Sequence, residues 1–210
     1  MKKYEFNLSQ RDVESFFKPI RRKEDIFVVL MNSLKQILSH NAYPIPIDNV
    51  KGKMILIVSK MSRLFYFTEE KFFSIHFPFT VSEKEDSLLF SSKYIDEIDS
   101  EMSSHVLSLL LCNKGESTCI TDILEPLTDI ENQHFHKDIG TLVKELLFME
   151  DGYIRYDYDE EHENGIMHPL NYFDINYSSK VTFKIGIDSK IDNNFFLDLM
   201  DITTDCQYIR

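Results

Sequence analysis

Glycine is scarce in this chain, with six among 210 residues. Loops that cradle phosphate depend on glycine, because the backbone must approach the anion closely and often in left-handed conformations. Neither G-x-x-x-x-G-K-[ST] nor G-x-G-x-x-G occurs, which excludes P-loop nucleotide hydrolysis and disfavours any glycine-loop phosphate site. G-x-S-x-G is missing too, so there is no nucleophile elbow. Cysteine is equally thin: Cys112, Cys119 and Cys206 are odd in number and match no disulfide pattern, which suits buried thiols in a reducing compartment. No apolar run approaches membrane-spanning length. The start, Met1-Lys2-Lys3-Tyr4-Glu5, turns polar where a secretory signal would turn hydrophobic. A cytoplasmic protein away from membranes is the expectation. No repeat or low-complexity tract interrupts the chain, and the composition is that of a globular fold.

Positive charge is what the later three quarters lack. Residues 1–60 carry 11 Lys/Arg against 6 Asp/Glu, whereas the remainder carries 12 against 29. A surface that acidic repels a phosphate backbone and steers a basic protein toward itself. Nucleic acid, if bound at all, would meet Arg21-Arg22-Lys23, a triplet that reads equally as a solvated helix start.

What is present alternates between two periods. Ile26, Val29, Leu30, Leu34, Ile37 and Leu38 recur at helical spacing and predict an amphipathic helix over 24–39. Residues 54–58, 63–67 and 72–79 then read as three strands of an antiparallel meander, with the polar run 82–87 closing it before a short strand at 88–90. From residue 96 the pattern is helical again: a helix with Val106, Leu109 and Leu110, a short one at 120–127, and a longer one at 136–149. The longer one has Ile139, Leu142, Val143, Leu146 and Leu147 in its buried stripe. Asp151-Gly152 ends that helix, and a hairpin follows at 153–159. Strands are predicted at 171–177, with Phe173, Ile175 and Tyr177 on one face, and at 180–187, before a closing helix containing Phe195, Phe196, Leu199 and Met200. The expected fold is α+β, with antiparallel sheets and packed helices. It divides into a helix-plus-meander subdomain at 1–95 and a helical unit followed by a hairpin-rich acidic subdomain at 96–210.

The densest motif is Arg155-Tyr156-Asp157-Tyr158-Asp159, followed by an acidic stretch, Asn164-Gly165 and His168-Pro169. Alternation puts Arg155, Asp157 and Asp159 on one strand face and Ile154, Tyr156 and Tyr158 on the other, and Asn-Gly favours a tight hairpin turn. Arg155, Asp157 and His168 are therefore the candidate site residues. His can act as general acid or base, Asp can orient it and Arg can clamp an anion. The same residues also read as a ladder of structural ion pairs. Helix, short helix, longer helix and hairpin over 101–159 is the order of a winged helix. Its third helix, however, would offer His136, Lys137 and Lys144 among Asp138, Glu145 and Glu150, and its wing would be acidic, which opposes DNA and leaves protein contact. Cys112, Cys119, His134 and His136 have no zinc-finger spacing, and the acidic residues 157–163 lack the calcium-loop pattern. No metal or cofactor is expected.

Arg155 to Asp159, the spacer, His168-Pro169-Leu170-Asn171, a strand and a Phe/Leu-rich final helix resemble an uncharacterised bacterial domain family. Its pattern is Arg-aromatic-Asp-aromatic-Asp followed by His-Pro-x-x-His. The likeness covers about the last third of the chain, and Tyr172 stands where the family has its second His. It implies kinship and fold, no activity, and a setting among intracellular, defence-related proteins. Together these readings predict a non-enzymatic accessory or regulatory module that binds a basic protein partner in a bacterial cytoplasmic system. Two alternatives stand beside it: an RNA- or nucleotide-processing enzyme using His168, Arg155 and Asp157, or an acidic immunity or antitoxin-like protein.

Overall fold

The computed structural model describes residues 1–85, 87–112, 137–175, 177 and 184–208, the side chains of Cys112 and Lys137 excepted. These residues form nine strands: β1 (Lys2–Leu8), β2 (Gly52–Val58), β3 (Arg63–Phe67), β4 (Lys71–His76), β5 (Thr80–Lys84), β6 (Ser87–Ser91), β7 (Ile154–Tyr158), β8 (Asn171–Asp174) and β9 (Lys184–Gly186). Five helices accompany them: α1 (Gln10–Phe16), α2 (Lys23–Ser39), α3 (Ser100–Cys112), α4 (Lys137–Phe148) and α5 (Asn193–Leu199). The class is α+β, and all strand pairs are antiparallel.

The chain divides into two interleaved compact units. The first comprises Met1–Arg22, Ile45–Phe77 and Asp151–Arg210; the second comprises Lys23–Pro44 and Pro78–Glu150. A boundary after residue 95 was expected, and that position falls inside the second unit. The reason is pairing at long range: β4 bonds to β7 across some eighty residues, with Phe72 opposite Tyr156 and Phe73 opposite Arg155.

In the first unit a seven-stranded sheet runs in the order β1-β2-β3-β4-β7-β8-β9. One face carries Ile55, Phe65, Phe67, Phe72, Tyr156 and Phe173, onto which α5 lowers Phe196. That ring meets Phe65 and Phe67 edge-on at 6.1 Å, a favourable aromatic arrangement. The opposite face carries Tyr66 stacked on Phe73 at 4.2 Å, with Phe16 at the end of α1 and Phe17 just beyond it each 5.2 Å from one of those rings. Covering both faces explains why β3 is buried throughout and reads as an unbroken aromatic run. Ser9 starts α1 with a reciprocal capping box to Asp12.

In the second unit α2 packs against α3 and β6, and α3 against α4. The stripe expected of α2 is buried, including Ile26, Val29, Leu30, Leu34 and Ile37, as are Ile139, Leu142, Val143 and Leu146 of α4. The helix expected in one subdomain with the meander thus belongs to the second unit, with α3, α4 and β6. Of the polar run 82–87, expected as a link, residues 82–84 belong to β5 of a two-stranded sheet, and Glu85 follows at φ 54.

Several expectations need correction. The would-be wing does not project as a hairpin, because β7 is bonded on both sides, to β4 and β8, and its apolar face belongs to the sheet core. β8 ends at Asp174, so Phe173, Ile175 and Tyr177 do not share a face. Phe173 is in the core, Ile175 is 43% exposed, and the Tyr177 ring meets Tyr153 edge-on. Cys206 is exposed rather than buried. The expected helix at 120–127 and the candidate ligands Cys119, His134 and His136 lie outside the described residues.

Candidate functional site

The register of β4, β7 and β8 builds two adjacent cross-strand rows on the face opposite the Phe196 cluster. Phe73, Arg155 and Asp174 lie side by side in one row, and Lys71, Asp157 and Tyr172 in the other. Together with Tyr153 and the segment Phe16–Arg21, these six residues line a cavity of about 340 Å³. That size lies at the lower end of small-molecule pockets.

Its floor is an arginine held between two carboxylates. Arg155 Nε donates to Asp157 Oδ2 at 2.6 Å, Nη2 to Asp174 Oδ2 at 2.5 Å, and Nη1 to the Tyr153 hydroxyl at 3.4 Å. Burial alone would lower the pKa of Arg155, but the negative charges of Asp157 and Asp174, with Tyr153, outweigh that and raise it, so the guanidinium stays charged. Burial foremost pushes the Tyr153 phenol up to about 12 and also raises Tyr172, leaving both as neutral hydroxyls at ordinary pH.

His168 does not join this floor. It lies outside the cavity lining, with Nε2 close to Lys184 Nζ and 3.8 Å from Asp159 Oδ2 and its ring 5.2 Å from that of Tyr172. Nδ1 is buried without a partner among the described residues. Lys184 in turn sits 3.8 Å above the Tyr172 ring, and burial depresses its pKa. Tyr172, standing where a second His was looked for, therefore serves as a platform for a cation and donates from its hydroxyl to Asp159 at 3.4 Å. Sequence reasoning paired Arg155 with Asp157 but missed Asp174, because only the register opposes it to Arg155.

Searches against family models, curated proteins and solved structures found no match. The chemistry is thus read from geometry. His168 is not among the residues lining the cavity, so Arg155, Asp157 and His168 are not brought together there. Among the described residues no three His, Cys, Asp or Glu side chains gather as a metal site, and no helix is long and apolar enough to cross a membrane.

Between β7 and β8 the chain makes a loop from Asp159 to Leu170, much longer than the two-residue turn that Asn164-Gly165 suggested. Within it the turn comprises three residues, Gly165 to Met167, and Asn164 flanks it and is not one of its central pair. Asn164 and His168 form a bridge, with backbone bonds of 2.8 and 3.3 Å, and Gly165 has φ +52. Asp159 accepts from the His162 amide at 3.1 Å, and Glu163 accepts from Gly165 N at 2.8 Å. At the tip Ile166 is 98% and Met167 84% exposed.

Proposed function

We propose that the chain is a non-enzymatic protein-interaction module, an accessory or regulatory component of a bacterial cytoplasmic system, whose recognising element is the loop 159–170. The observation that carries this reading is two adjacent, nearly fully exposed apolar side chains, Ile166 and Met167, on a braced acidic loop. Exposed apolar side chains on a floppy tip would lose much of their binding energy to ordering; here the Asn164–His168 bridge and the Asp159 and Glu163 side chains have already fixed the backbone. Each anchor can contribute roughly 1.5–3 kcal/mol when fully buried by a partner. The flanking Glu160, Glu161 and Glu163 are exposed, so the fitting partner has an apolar pocket rimmed by Lys and Arg. Placement among bacterial, defence-related proteins is supported by the resemblance of the last third of the chain. An acidic immunity-like role would use the same surface against a basic toxin. The enzymatic alternative lacks support because Arg155 and Asp157 satisfy each other away from His168.

The test is affinity capture from the native host, identification of co-purifying chains, and reconstitution of the partner with purified wild type and with the double variant Ile166→Asp, Met167→Asp. We expect the variant to bind at least about tenfold more weakly while melting as the wild type does. Equal affinity of the variant would remove the loop from recognition. Loss of binding in Arg155 variants that remain folded, with the loop variant unaffected, would move it to the cavity.

A further inference from the structure

The accessible charge on the cavity floor is a guanidinium. The Arg155 side chain is 28% exposed, whereas Asp157 and Asp174 keep 2% each, so the cation is far more accessible to a ligand in the cavity than its counter-ions are. Arginine carries five N–H donors. Contacts among the described residues engage Nε, one Nη1 hydrogen and one Nη2 hydrogen, which leaves one donor on each terminal nitrogen of an already oriented fork. Lys18 and Lys71 line the same cavity, are exposed, and make no ion pair among the described residues. With Arg21, the lining holds four cations against two carboxylates. That surplus matches one particular class of small anion. A phosphate monoester carries about −1.5 to −2 at neutral pH and offers three strong acceptor oxygens, and a guanidinium fork is the side chain best shaped to receive two of them.

We propose that this cavity is a binding site for a small phosphate monoester, its phosphate held by Arg155, Lys18 and Lys71 and its organic part resting against Phe17, Tyr153 and Tyr172. A volume of about 340 Å³ leaves room for more than the phosphate itself, and the aromatic wall gives the remainder an apolar surface. Arg21, the one residue of the basic triplet that reaches the cavity lining, adds to the attraction. The two aspartates act as positioning residues: they fix the guanidinium plane so that little side-chain entropy is lost when the ligand arrives. No residue of the loop 159–170 lines the cavity, so monoester titration and binding of a protein partner to the loop variant report on the two proposals separately.

The experiment is calorimetric titration of the full chain with a purine nucleoside monophosphate, a pyrimidine nucleoside monophosphate, a pentose phosphate, inorganic phosphate and the corresponding nucleosides. At least one monoester is expected to saturate with a dissociation constant below about 1 mM, more tightly than inorganic phosphate, and its nucleoside to give no heat. Lys18→Glu and Lys71→Glu, both at exposed positions, should each weaken that monoester about tenfold or more; Lys18→Glu should leave the thermal midpoint unchanged, whereas Lys71→Glu sets a carboxylate across the strand from Asp157 and should lower it. If no monoester binds, or if both charge reversals leave affinity unchanged, the proposal is overturned. Inorganic phosphate binding as tightly as every ester would overturn recognition of the organic part.

Discussion

One arginine shared by two buried carboxylates sets the behaviour of the candidate site at the scale of single residues. Asp157 and Asp174 are 1% and 2% exposed, and removing the arginine would take from both buried carboxylates the cation that they share. We expect Arg155→Met to lose on the order of 3–5 kcal/mol in urea denaturation, and Asp157→Asn to lose less, because the arginine keeps Asp174. A variant midpoint equal to wild type would show that the carboxylates have other compensation. The same floor sets an alkaline limit. Tyr153 is held to about 12, above the usual 10 of a tyrosine, chiefly by burial. Below pH 10 the phenol is protonated in both states and contributes no pH dependence. Between pH 10 and 12 the unfolded chain ionises while the folded one does not, so stability falls through that window, by roughly 2–3 kcal/mol at most. Arg63, lowered by burial from 12.5 to about 10, works in the opposite direction above pH 10, since there the unfolded state binds the extra proton. Comparing wild type with Tyr153→Phe cancels the Arg63 contribution. The variant should show a shallower decline above pH 10 in denaturant midpoints, and parallel curves would refute the assignment.

Elements that announced themselves in the sequence are those whose side-chain period agrees with one buried face. α2 starts within a residue of its expected bound, α4 covers most of the span expected for it, and β3 matches its aromatic run because each of its faces finds a cover. β1 and α1 passed unnoticed, although Ser9 and Asp12 at cap spacing were there to be read. β5 was missed because its residues are mostly polar and exposed, so no period marks it. The site was half legible for a different reason. Alternation along one strand puts Arg155 and Asp157 on a face, but Asp174 joins them only through a register fixed by packing of Tyr156 against Phe173, which no local pattern encodes. Packing of this kind predicts where the sheet is weakest. The seven-residue α5 is too short to hold itself; it is anchored by the Asp192 cap, which accepts from Phe195 N at 2.8 Å, and by Phe196, its single fully buried residue. Phe196→Ala should cost about 3–5 kcal/mol in chemical denaturation, against about 1 kcal/mol for Asp192→Ala. Similar losses for the two would mean that the ring does not seat on Phe65, Phe67 and Phe72.

For the whole molecule, electrostatics separates the two proposed sites. The net charge is −12, yet the cavity lining carries more cations than carboxylates, so a small dianion must cross a repelling outer field before it meets an attracting pocket. A basic polypeptide approaching the loop 159–170 meets attraction at every distance. Salt acts first on the long-range part, because the Debye length is about 10 Å at 0.1 M. Raising ionic strength from low values should therefore slow association of the basic partner by a factor of ten or more, as for other steered complexes. Affinity for a phosphate monoester should change much less over the same range, since weakened repulsion outside offsets weakened attraction within. Stopped-flow association with the partner and calorimetric titration with the monoester, each across a salt series, read the two dependences separately. A partner whose association rate ignores salt would remove the acidic loop as its steering surface, and monoester affinity that collapses in step with the partner's rate would place that anion on an open patch of lysines and not in the cavity.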